Sequence, residues 1–210
     1  MKALFVPGWG AQASLYHGVV PPEWEVLQPP SFRHAGGELA TYRDWLRAEL
    51  DRRDGPFTLA GHSFGAALVV LAAGHAWGPV ERLVLVSPAG LPLSKPMPLA
   101  GLAFVRQFLA GVYPVRPALE SAVGAAVAPR AAVGLAREVY RLELRDELEE
   151  IRRRGIPTVV LSATSDTLTT CEQCREIARL AGGECHELDV RGGHVWFLAA
   201  PEEFRRHLPS

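Results

Sequence analysis

The sequence predicts an α/β fold, a mostly parallel sheet of about six strands with helices on both faces. Three observations carry this. Short apolar runs alternate with amphipathic stretches in a βαβ rhythm through the first half of the chain and again near its end. The strand-like runs are nearly continuous in apolar residues, as strands covered on both faces are. One of them enters a glycine-bounded turn, Gly61-His62-Ser63-Phe64-Gly65, that opens directly onto an apolar helix.

Residues 2–6 form the first expected strand, ending in Pro7-Gly8-Trp9-Gly10, and residues 24–28 the second, stopped by Pro29-Pro30. Residues 38–53 have helical spacing, with Leu39, Tyr42, Trp45, Leu46 and Leu50 on one face and charges opposite. A third strand over 57–60, a buried helix over 64–77 and a fourth strand over 82–86 follow. The rhythm then changes. Three helical stretches, 99–111, 117–128 and 129–154, succeed one another without a strand, the last with a break near Gly134. Residues 90–154 are therefore expected to be a helical cap inserted into a core built from 1–89 and 155–210. The sheet resumes with strands over 156–162 and 185–190, alternating with helices over 171–181 and 196–208.

The chain's 210 residues fit one domain carrying such an insertion, and about half of them are apolar, enough for a large core. The formal net charge is −1 and no Lys/Arg block stands out, which argues against nucleic acid or an anionic membrane as partner. The Arg152-Arg153-Arg154 run reads as a helix end, where cations meet the negative pole of the dipole. The apolar run Ala3 to Val6 stops at Pro7-Gly8, too short for a signal core or a membrane span, so a cytoplasmic protein is expected. Three cysteines do not make a secreted disulfide framework.

The turn at Gly61–Gly65 matches G-x-S-x-G between a strand and a helix, where a sharp reversal exposes a serine Oγ and the helix N-terminus favours developing negative charge. Ser63 is the candidate nucleophile, and a serine needs a base within hydrogen-bond reach. His194, in the glycine-rich loop after the last strand, is the candidate base; His75, His186 and His207 lie in a helix, a strand and the terminal helix. Asp166, the one acid between the fifth strand and the next helix, is the candidate for orienting His194, with Asp189 as competitor. Backbone N–H groups of Phe64 and Trp9 are the candidate oxyanion donors, each worth roughly 3 kcal/mol in such a site.

With these pieces assembled, the chain resembles the α/β-hydrolase superfamily, and within it small cap-bearing carboxylesterases such as the pimeloyl-carrier-protein methyl ester esterases. The resemblance rests on Pro7-Gly8-Trp9-Gly10, Gly61–Gly65, Asp166, Gly193-His194 with Val195 and Phe197, and Pro201-Glu202-Glu203-Phe204. It implies the α/β-hydrolase fold, a lid over the active site, and ester or thioester hydrolysis without a cofactor. Three departures stand out. Pro7-Gly8 replaces the usual His-Gly, Ser162–Ser165 lacks the usual glycine before the acid, and the family's first two strands are absent. That last departure leaves an open sheet edge, and with it the expectation of dimerisation.

The expected substrate is a small-molecule ester, a carrier-linked acyl group among the options, bound by Trp9 and by Phe104, Phe108 and Tyr113 of the cap. The same residues leave other readings open. An acyltransferase, a C–C bond hydrolase or a cofactor-free haloperoxidase uses the same three residue types, and a ligand-binding protein of the fold can retain them. A zinc or redox role for Cys171-Glu172-Gln173-Cys174 with Cys185-His186 is set aside, because neighbours on a strand point to opposite faces.

Overall fold

The computed structural model describes residues 2–92 and 115–209. The helix expected over 99–111, with Phe104, Phe108 and Tyr113, lies outside the described residues. Among them, strands β1 (Lys2–Val6), β2 (Glu25–Val26), β3 (Phe57–His62), β4 (Val80–Val86), β5 (Thr158–Ala163) and β6 (Glu184–Leu188) form one sheet in the order β2-β1-β3-β4-β5-β6. Every neighbouring pair is parallel.

Alternation along each strand splits the core in two. Leu4, Val6, Leu59, Leu83 and Leu85 face one layer, which holds helices α2 (Leu39–Asp51), α3 (Phe64–Gly74), α6 (Arg145–Arg153) and α7 (Cys171–Ala181). Ala3, Phe5, Ala60, Val84 and Val86 face the other, filled by Leu15, Tyr16 and Trp24 and by the short helices α8 (Trp196–Ala199) and α9 (Pro201–Arg206). Helix α3 is buried along nearly its whole length, which explains why it shows no polar face. The chain runs from β1 to β2 on one side and then crosses to β3 on the other, so the ends of β1 and β3 flank a crevice of the kind that binds ligands in open α/β sheets.

After β4 the chain passes Gly90, whose carbonyl accepts from the Leu144 N–H at 2.8 Å. Between them the described residues form α4 (Val115–Val127) and α5 (Pro129–Tyr140) beside the short α1 (Phe32–Ala35). The break expected near Gly134 falls at residues 141–144 instead. One glycine inside a helix costs about 1 kcal/mol and does not end it. Leu142 and Leu144, both buried, pull the chain back towards the sheet. Helix α6 then packs on α3 and α7 with Leu148 and Ile151 fully buried, so the chain rejoins the core layer by Arg145.

Two further expectations change. The strand over 24–28 shrinks to Glu25–Val26, because Pro29-Pro30 draws the chain out of the ladder. The terminal helix over 196–208 breaks at Ala200, since the residue before Pro201 is driven out of the helical region. None of the described helices is long and apolar enough to cross a membrane.

Candidate active site

Strand β3 carries the chain into Ser63 at the C-terminal edge of the sheet, and α3 leaves from Phe64. Ser63 has φ 52° and ψ −116°, a region a residue with a side chain enters only at a cost of about 1–3 kcal/mol. Three backbone hydrogen bonds hold it there. Its N–H donates to Val86 O at 2.9 Å, and its carbonyl accepts from Ala67 at 3.2 Å and Ala89 at 3.1 Å. The glycines on either side are required by close approach, for a Cβ on Gly65 would stand 2.2 Å from the carbonyl oxygen of Val6.

His194 lies on a short 3-10 turn, Gly193–Val195, beyond β6. Its Nε2 is 2.8 Å from Ser63 Oγ and its Nδ1 2.8 Å from Asp166 Oδ2. All three meet although 131 residues separate Ser63 from His194. A carboxylate only accepts, so Nδ1 carries the hydrogen and Nε2 is left to take the serine proton.

Asp166 is itself tightly held. Its Oδ1 accepts from the N–H groups of Leu168 at 2.8 Å and Thr169 at 3.1 Å, and its Oδ2 from Thr169 Oγ1 at 2.8 Å. Burial alone would raise this carboxyl, but the adjacent His194 and these donors hold it below its usual value, ionised at neutral pH. Ser165 clamps the two loops together. Its hydroxyl donates to Val190 O at 2.7 Å and accepts from the Gly193 N–H at 3.1 Å.

The competing groups sit elsewhere. Asp189 is exposed and accepts from Thr164 Oγ1 at 3.2 Å. His75 caps α3 beside Glu147, while His186 and His207 pair ring to ring with centroids 5.1 Å apart. Cys171, Cys174 and Cys185 are free thiols. Burial pushes Cys174 well up and Cys185 to about 11, so neither is a thiolate at neutral pH. Among the described residues no group of three or more His, Cys, Asp or Glu is arranged to hold a metal ion.

Phe64 opens α3, in the first turn whose N–H groups have no acceptor within the helix. In the turn after β1 the Gly8 N–H donates to the Tyr16 hydroxyl at 2.9 Å, and the next N–H along is that of Trp9. The Trp9 indole packs at a tilt against Phe32 with centroids 5.0 Å apart, and its Nε1–H donates to Ala132 O of α5 at 3.3 Å. It thereby ties the turn to α5. A cleft opens beside this turn, lined among others by Gly8, Gly10, Pro30, Phe32, Tyr42 and Phe64. Burial raises the Tyr42 phenol to about 12, so it stays a neutral donor.

Sequence reasoning did not single out Thr169, Ser165, Tyr16, Phe32 or Tyr42 in this role. Thr169 had a signal, lying three residues after the acid, where a side chain folds back on its loop. Tyr16 had none.

A family model described as the alpha/beta hydrolase family matches residues 3–207. None of the curated proteins matches the chain. Among solved structures, an esterase from Exiguobacterium antarcticum is similar with TM-score 0.75 and 13% identity, covering 98% of this chain and 90% of that one. An enol-lactonase from Burkholderia xenovorans gives TM-score 0.67 and 20% identity, covering 98% and 88%. A bromoperoxidase from Bacillus anthracis gives 0.71 and 17%, covering 98% and 88%. At such identities the likeness is one of fold.

Proposed function

This chain belongs to the alpha/beta hydrolase family, and within it we propose a serine hydrolase that cleaves carboxylic esters, thioesters included, through an acyl-enzyme on Ser63. The observation that carries the reading is the unbroken line Ser63 Oγ, His194, Asp166, with 2.8 Å at each contact.

In the proposed reaction Ser63 Oγ attacks the ester carbonyl while His194 Nε2 takes its proton. Asp166 holds the tautomer and stabilises the imidazolium without becoming protonated itself. The N–H groups of Phe64 and Trp9 receive the oxyanion, and the N-terminal end of α3 adds a favourable field. Collapse expels the alcohol, which leaves with the proton held on His194. Water, deprotonated by the same ring, then frees the acid and restores Ser63.

The cleft beside Gly8 and Phe64 supports an apolar acyl or alcohol group, since Pro30, Phe32 and the ring of Tyr42 line it. The test is steady-state hydrolysis of p-nitrophenyl esters from acetate to laurate by the wild type and Ser63→Ala. Repeated turnover by the wild type, with a loss of at least about 10³-fold in the variant, is the expected result. Equal rates in the two proteins would remove Ser63 as nucleophile. Turnover by neither would favour the acyltransferase, C–C hydrolase or binding-protein readings.

A further inference from the structure

His62 precedes the nucleophile in the chain, and its side chain is 4% exposed. Its ring makes two hydrogen-bond contacts. Nε2 lies 3.0 Å from the backbone carbonyl of His194, and Nδ1 lies 2.9 Å from the Tyr16 hydroxyl. That hydroxyl in turn accepts from the N–H of Gly8.

The hydrogens on this chain can be placed in one way. A carbonyl only accepts, so His62 Nε2 carries a hydrogen and donates it to His194 O. Burial pushes the His62 ring down to about 3, so it carries no second proton and Nδ1 accepts. The Tyr16 O–H therefore donates to Nδ1, which leaves the phenol oxygen to receive the Gly8 N–H. The result is a directed series from the turn after β1, through the residue beside the nucleophile, to the backbone of the base.

The surroundings fix this series in place. Tyr16 stacks on Phe197 at 5.6 Å and 11°, and His62 packs edge-on to the same ring at 4.7 Å. A Cβ on Gly8 would stand 2.8 Å from His62 Nδ1, so the turn comes this close only because that residue is glycine. His194 needs such an anchor. It rides on a three-residue 3-10 turn that follows Gly192, with φ 119°, and such turns hold their hydrogen bonds poorly.

We propose that Tyr16 and His62 are positioning residues, a hydrogen-bonded series from Gly8 to the His194 carbonyl that holds the oxyanion turn and the base in register on either side of Ser63. This rests on the serine-hydrolase reading of the site. A neutral His62 also suits the reaction, because its ring centroid lies 4.9 Å from that of His194, which becomes cationic in the transition state. The titratable side chains facing it are His194, Asp166 and Tyr16.

The test has two arms. Tyr16→Phe keeps the ring stack and removes the hydroxyl, and kcat for p-nitrophenyl butyrate should fall about 10-fold with KM nearly unchanged, as for a small misplacement of catalytic groups. His62→Leu should fall further, and the double variant should match His62→Leu within about twofold, since both break one series. His62→Gln, which restores a donor to the His194 carbonyl, should recover part of the loss. Unchanged kcat in Tyr16→Phe, or losses that multiply in the double variant, would overturn the proposal. The second arm needs neither a variant nor a substrate. The imidazole ¹⁵N signals of His62 in the resting protein should report the neutral Nε2–H tautomer from pH 5 to 8. An Nδ1–H tautomer or an imidazolium would overturn the proposal even if esters are hydrolysed. Absence of ester turnover with the correct tautomer would instead count against the serine-hydrolase reading and remove the catalytic role from the series.

Discussion

A Cβ on Gly61 would stand 2.6 Å from the carbonyl oxygen of Gly65. The two glycines of the Ser63 turn therefore lie against each other, strand end on helix start, and the strained serine is held between them. Both contacts are with backbone, which cannot rotate away. Gly61→Ala and Gly65→Ala are each expected to lose about 3 kcal/mol or to fail to fold. Urea unfolding of the purified variants measures this. A loss below about 0.5 kcal/mol at both positions would mean that the turn has room that the packing denies.

Asp166→Asn separates orientation from folding. Its amide oxygen can still accept from the Leu168 and Thr169 N–H groups, so the loop should survive. Its NH₂ group would face His194 Nδ1 and favour the wrong tautomer. A fall in kcat/KM of about 10³–10⁴-fold is expected for p-nitrophenyl butyrate, with a stability loss no larger than the roughly 2 kcal/mol of the Thr169 hydroxyl bond to Oδ2. A loss of less than about 10-fold would point to another orienting group.

Thr169→Val removes a single hydroxyl from the same buried carboxylate, with almost no change in shape. Hydrogen bonds to charged groups contribute about 1.5–3 kcal/mol, so stability should drop by about 2 kcal/mol and kcat/KM by about 10-fold. Thermal or urea unfolding and ester kinetics on the same sample check both. An unaltered rate would confine Thr169 to loop structure.

His62 makes stability depend on pH in a definite direction. Its pKa falls from 6.5 to about 3 on folding, chiefly through burial. The unfolded chain thus binds a proton below pH 6.5 that the folded protein does not. The contribution is complete above 6.5 and is lost progressively as pH falls towards 3. Between pH 7 and 5 the loss is about 2 kcal/mol. Urea unfolding at the two pH values should show a drop in the wild type larger by about that amount than in His62→Gln. Equal drops would mean that His62 is protonated in the folded state.

Much of this molecule was legible because its signals are local. Strand β3, the turn and α3 form one stretch whose apolar runs, glycines and serine allow a single reading. Asp166 and His194 stand out as candidates because each lies in the loop after a strand, at the edge where Ser63 also emerges. Boundaries were harder. Pro201 acts on Ala200, not on itself, and the edge strand β2 is cut short by prolines beyond its apolar run. The C-x-x-C pattern lies in the first turn of α7, where Thr170 and Gln173 form a capping box beside Cys171 and Cys174, both free thiols. What the sequence hid is long-range. Tyr16 meets His62 across 46 residues through a loop with no periodicity, and Trp9 reaches Ala132 across 123. Such contacts depend on how layers stack, which no window of the sequence records.

The most direct measurement of the central claim is titration with an alkyl p-nitrophenyl phosphonate, followed by peptide mass mapping. One equivalent of p-nitrophenol should be released per chain, with the phosphonyl group on Ser63 and ester hydrolysis abolished in proportion. Ester turnover that survives complete reaction, or a phosphonyl group on any residue other than Ser63, would contradict it.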